Sequence, residues 1–172
     1  ADVDKATTDI GATPLFIAAG EGHVEAMEAL LAAGADVDKA TTDDGATPLY
    51  IAANKGHVGA VEALLAVGAD VDKATTDDGA TPLFIAAGQG HVGAVQGHNR
   101  HRRHSALHCC QTRPRRSSAT SLHTAASQGY IEVATALLAA GANPDSAAAD
   151  GSTCLTAAAV SMRKETAELL LR

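Results

Sequence analysis

Four histidines and two adjacent cysteines fall within "HNRHRRHSALHCC", residues 98–110, and six arginines lie between residues 100 and 116. Imidazole and thiolate are common zinc ligands, and clustered guanidinium groups suit phosphate, so this stretch offers the first candidates for chemistry. His98, His101, His104, His108, Cys109 and Cys110 would be the ligands. Their spacing speaks against a metal. A zinc site usually takes one close pair plus a second pair brought back by a folded turn, and nothing here dictates that turn. The arginines have no interleaved aromatic residues and no accompanying nucleic-acid-binding motif. Metal or nucleic-acid binding through residues 98–116 is therefore the alternative reading, and no metal site, cofactor site or catalytic residue is assigned. No phosphate-cradling glycine loop occurs, nor a Ser or Cys nucleophile with a dictated base, nor a pair of buried carboxylates.

The rest of the chain sets that stretch in contrast. The 172 residues carry a formal charge of -7, which argues against a nucleic acid or an anionic membrane as partner of the whole molecule. The sign is uneven: residues 1–95 hold 15 acids and 4 bases, 96–117 hold 6 bases and no acid, and 118–172 hold 5 acids and 3 bases. With 2% aromatic residues and no Trp, alanine, leucine and valine must fill the core. Three cysteines, two of them adjacent, cannot form a disulfide framework, so an intracellular, cytoplasmic setting is expected. No charged-then-apolar leader or long apolar run appears, so no membrane partner is expected. Since residue 1 is Ala rather than Met, the chain is expected to be a piece of something longer, and an enzyme domain outside it is a further alternative.

Self-comparison exposes the organisation. "ADVDKATTD" starts at Ala1, Ala35 and Ala69, a period of 34, and residues 1–34 match 35–68 at 27 positions. Related copies begin near Ser118 and at Ala142. The expected domain is single, 1–172, in units 1–34, 35–68, 69–96, 118–141 and 142–172, with 97–117 an aberrant basic loop of poor order. In "TPLFIAAGEG", Thr13 caps a helix, Pro14 suits its first turn and Gly22 ends it. In "HVEAMEALLAAG", Val24, Met27, Leu30 and Leu31 make one apolar face of a second helix that stops at Gly34. Between hairpins, "ADVDKATTDDGA" suits an extended arm with a tight turn near Asp44–Gly45. Each hairpin has an apolar stripe it can bury only against its neighbours. Unit three continues "QGHNRHR" after Val95 and loses its Leu pair, so a weak joint is expected there.

"TPLFIAA" at 13 and 81, "TPLYIAA" at 47 and "TSLHTAA" at 120, each with its "GHVEAMEALLAAGADVD" copy, resemble the ankyrin repeat. The resemblance covers nearly everything outside 96–117. The usual period is 33; here the finger is one residue longer in the first three units. Ser121 and Cys154 replace the helix-starting proline, and those helices are expected to begin less sharply. The resemblance implies an α-class solenoid of stacked helix-turn-helix units with short β-hairpin fingers. It implies a structural role for His23, His57 and His91 as hydrogen-bonders between neighbouring loops. It also implies a non-catalytic protein-protein interaction scaffold that binds through its fingers and first helices. The expected contacts are Asp9, Asp43, Asp44, Asp77 and Asp78 on the fingers, and Glu21, Tyr50, Asn54, Lys55, Gln89, His123 and Gln128 on the first helices. Acidic fingers suit a protein partner with a basic surface. The Asp rows lack the Asp, Gly and distal Glu order of a calcium loop and read as solvated fingertip charges.

The genetic code offers a third account of residues 97–116. Back-translated and read one base later, they permit the sequence of residues 40–59 at 17 of 20 positions. The histidines and arginines would then be by-products of shifted Thr, Asp and Gly codons, an expectation that the coding DNA can settle.

Overall fold

Threonine decides where each hairpin begins. The computed structural model describes residues 2–101, 120–148 and 150–171. In it the helices run in pairs: α1 Pro14–Glu21 with α2 Val24–Ala32, α3 Pro48–Lys55 with α4 Val58–Ala66, and α5 Pro82–Gln89 with α6 Val92–His101. Then follow α7 Ser121–Gln128 with α8 Ile131–Ala139, and α9 Cys154–Val160 with α10 Lys164–Leu170. The hydroxyls of Thr13, Thr47, Thr81 and Thr120 accept the amides of Phe16, Tyr50, Phe84 and His123 at 3.1, 3.1, 3.2 and 3.2 Å. Thr153 accepts from Thr156 N–H at 3.3 Å, and Thr156 Oγ1 accepts the Thr153 amide at 2.7 Å, a reciprocal capping box. The starts of α7 and α9 are therefore as well capped as the proline-bearing ones, contrary to expectation. The hydroxyl supplies the hydrogen bond, whereas proline only presets φ.

The hairpins stack in two layers. Helices α1, α3, α5, α7 and α9 pack in sequence as one row, and α2, α4, α6, α8 and α10 as the other. Leu15, Leu49, Leu83 and Leu122 anchor the first row at 1% exposure or less, and Met27, Val61 and Val95 the second. The alanine pairs at 18–19, 52–53, 86–87 and 125–126 are buried between them. Alanine lets helix backbones approach closely, which is how a core nearly free of aromatics still packs.

The fourth hairpin packs directly on the third, α7 on α5 and α8 on α6, although Thr81 and Thr120 are 39 residues apart. Helix α6 continues to His101, so residues 97–101 of the stretch expected to loop are helical. The remaining positions, among them His104, His108, Cys109 and Cys110, lie outside the described residues, as does the expectation of poor order.

The fingers close by turns, with no strand among the described residues. Thr41 N–H donates to Ala46 O at 2.9 Å and Thr75 N–H to Ala80 O at 3.0 Å. Single bonds link neighbouring fingers, Thr42 N–H to Ile10 O at 2.9 Å and Thr76 N–H to Asp44 O at 2.7 Å. A loop closed over five residues by one such bond has the path of a hairpin but no ladder to make it a strand.

Candidate protein-binding surface

Fingers and first helices form the surface on which the expected contact residues fall, and their side chains serve two different ends. Asp44 Oδ1 accepts from the Thr41 hydroxyl at 2.6 Å and from Ala46 N–H at 3.0 Å. Asp78 repeats this with Thr75 and Ala80 at 2.5 and 2.9 Å. These two carboxylates hold the finger turns. Asp9, Asp43 and Asp77 are exposed at the tips, each with its carboxyl held below the usual range. For Asp9 the main cause is a hydrogen bond from Thr7, and for Asp43 and Asp77 the amide of the following aspartate. All three stay ionised well into acid.

Tyr50 is half-buried beside fingers two and three. Burial first, then the charges of Asp78, Asp44 and Asp77, push its ionisation from 10 to about 12. The folded state therefore prefers the neutral phenol. The sign of the linkage follows: this contribution is complete below pH 10 and is lost as pH rises through about 12. Urea midpoints of the parent chain are expected to fall over that interval more than those of a Tyr50→Phe variant; equal falls would place the ring in free solvent.

Tyr50 and Asn54 share one i, i+4 stripe of α3, and Ile51 and Lys55 share the next. Phe16, Phe84 and His123 occupy the Tyr50 position in hairpins one, three and four, making a column of ring-bearing residues at the finger bases. Ile17, at 49% exposure, adds apolar surface beside it. Glu21, Lys55, Gln89 and Gln128 are exposed at the last position of their first helices, one helix end per hairpin. Asn54 is half-buried, and its main-chain oxygen accepts a histidine from the next hairpin.

His123 lies in a chain of polar groups: its Nε2 is 3.0 Å from Ser152 Oγ, and Ser152 donates to Asp150 Oδ1 at 2.6 Å. The residue types are those of a hydrolytic triad, but the order is wrong. A triad needs the hydroxyl to give its proton to imidazole and the carboxylate to orient that imidazole. Here the carboxylate holds the hydroxyl. Asp150, its carboxyl lowered chiefly by Ser152, is exposed at a finger, and the network holds the His123 ring in place. Cys154 is fully buried and its thiol is pushed up to about 11, which leaves little thiolate. Among the described residues no cluster of three or more His, Cys, Asp or Glu is placed to hold a metal ion.

Two of the three ladder histidines make the expected bond, and the third, His23, is exposed with no described hairpin before it. His57 Nε2–H donates to Gly20 O at 3.1 Å and His91 Nε2–H to Asn54 O at 2.9 Å, each reaching back into the preceding hairpin. Arg163 takes the same place in hairpin five, Nε–H to Ser127 O at 3.4 Å. A second tie was not anticipated: Asp4 and Asp38 accept the amides of Asp36 and Asp70 across hairpins, at 3.2 and 2.9 Å. Asp38 is thus a linker rather than a free charge. Phe16, Phe84, Asp150 and Ser152 also escaped the sequence reading. The first two were readable as the Tyr50 column; the others needed a contact spanning 29 residues.

No helix among the described residues is long and apolar enough to cross a membrane. A family model described as ankyrin repeats (3 copies) matches residues 1–75, 65–145 and 98–172, overlapping windows that together span the sequence. No curated protein matches the chain. Capped helical hairpins in two rows, tied by a histidine ladder and matched along their whole length, place this chain in the ankyrin-repeat family.

Proposed function

We propose that the chain is a scaffold that holds a protein partner with a basic surface against its fingers and first helices. Ankyrin repeats are in general protein-protein interaction modules and are typically non-catalytic. The observation that carries the finer reading is the setting of Tyr50, where carboxylates of two successive fingers act on one half-buried ring. Such a site offers an aromatic face for a cation and acid for its charge. Asp43 and Asp77 are exposed charges at the tips, each accepting the amide of the next aspartate, whereas Asp44 and Asp78 bridge a threonine hydroxyl and an amide across the turn. Affinity capture with the full chain is expected to retain a basic partner. An Asp43→Asn/Asp77→Asn variant should bind it at least tenfold more weakly at low salt, with the difference shrinking at high salt. Equal retention by both chains would remove the fingers from the interface.

A further inference from the structure

The first-helix face repeats itself almost without change from hairpin to hairpin. Residues 40–53 and 74–87 differ only in Tyr50 against Phe84, and residues 6–19 differ from 74–87 only in Ile10 against Asp78. Phe16, Tyr50 and Phe84 are half-buried at the same helical position, each followed by an isoleucine, Ile17, Ile51 or Ile85. A ligand moved along by one hairpin meets the same side chains again.

The pitch of this face is set at both ends. On the finger side, Thr42 N–H donates to Ile10 O and Thr76 N–H to Asp44 O. Each threonine side chain also lies over the previous finger's glycine, where a Cβ on Gly11 or Gly45 would come within 2.7 or 2.8 Å of Thr42 or Thr76 Cγ2. At the far ends of the first helices, His57 and His91 reach back to Gly20 O and Asn54 O. Each imidazole is seated on a bare glycine: a Cβ on Gly22 or Gly56 would lie 2.8 or 2.6 Å from its Nδ1. Between these ties Gly20 admits Ile51, whose Cγ1 would be 3.2 Å from an added Cβ. Helices packed in this way lie roughly 8–10 Å apart.

A ligand that uses equivalent positions on successive hairpins has to advance by that same step. A polyproline II segment does so, turning once in three residues over roughly 9 Å. A β-strand returns a side chain to one face every ~6.7 Å and falls out of step. Two turns of α-helix, roughly 10.8 Å, overshoot. We infer that the partner docks through a polyproline II stretch with an arginine at every third position, its side chains entering beside the fingers onto Phe16, Tyr50 and Phe84. Arginine fits better than lysine, because its planar guanidinium stacks on an aromatic face and pairs with a carboxylate through two hydrogen bonds.

Tyr50 marks one such position between fingers two and three, close enough to Asp78, Asp44 and Asp77 to feel their charge. Phe16 has the same place in the repeat, between the fingers that carry Asp9 and Asp43. Equivalent positions at a fixed pitch favour a ligand of the same period, because its second and third contacts are made within one complex. The inference rests on the scaffold reading above and adds a spacing to it.

Fluorescence anisotropy on the full chain tests that spacing. Three labelled proline-rich peptides of identical composition would carry three arginines at every second, every third or every fourth position. The every-third peptide should bind about tenfold more tightly than either isomer. An Asp43→Asn/Asp77→Asn variant should lose most of that advantage while melting at the parent's temperature. Equal binding of the three peptides overturns the inference. If that equal binding still weakens in the variant, the scaffold for a basic partner stands without a periodic segment; if no peptide binds, or the variant binds them like the parent, both readings fall.

Discussion

Leu64→Ala is expected to destabilise the protein by about 2 to 5 kcal/mol. Leu64 is fully buried on α4, the second helix of a hairpin that has neighbours on both sides. The substitution removes three carbons and leaves a cavity that flanking helices close only in part. The same change at Leu30 is expected to cost much less, of the order of 1 kcal/mol. Leu30 has the same place in a nearly identical unit, but it is only partly buried, because no described hairpin covers its outer side. Urea unfolding with an unchanged m-value reads both losses. Equal losses would show that burial at this column does not depend on the neighbours, contrary to how a stacked array is stabilised.

Gly56→Ala, one methyl in size, is expected to cost about 2 to 3 kcal/mol from two sources. Residue 56 has φ of 75°, where a Cβ meets its own backbone and costs roughly 1–2 kcal/mol. The new carbon would also lie 2.6 Å from His91 Nδ1. The ring must move, and its 2.9 Å bond to Asn54 O lengthens or breaks, for about another 1 kcal/mol. Gly68→Ala is the control: φ there is 90°, yet nothing lies within 4 Å of the added carbon, so only the backbone strain applies. A double-mutant cycle with His91→Ala isolates the second source. If Gly56→Ala and Gly68→Ala cost the same, the ladder does not depend on the bare seat.

Both expectations rest on features that differ in how far the sequence reveals them. Thr13, Thr47, Thr81 and Thr120 mark helix starts because a hydroxyl three residues before an amide is a local device, complete within four residues. Gly22 and Gly56 mark helix ends for the same reason. Asp44 and Asp78 looked like solvated charges beside Asp43 and Asp77, yet their carboxylates close the finger turns, and adjacency in sequence cannot divide the two roles. Of the candidate surface, the column of Phe16, Tyr50, Phe84 and His123 was legible from the period. The Asp150–Ser152–His123 chain was not, because its members come from different hairpins.

By itself the sequence determined the period, the caps, the apolar stripe of each helix and so the ankyrin-repeat family, since each is a property of a few neighbouring residues repeated along the chain. Only the tertiary structure decided which equivalent residues differ in effect. Ala26 is exposed while Ala60 is buried, His23 is exposed while His57 lies against Gly22, and Met162 holds a positive φ at the position that is glycine in the other four hairpins. The physical reason is that burial and steric fit in a stacked array belong to pairs of hairpins. A repeat read alone carries no record of what lies against it.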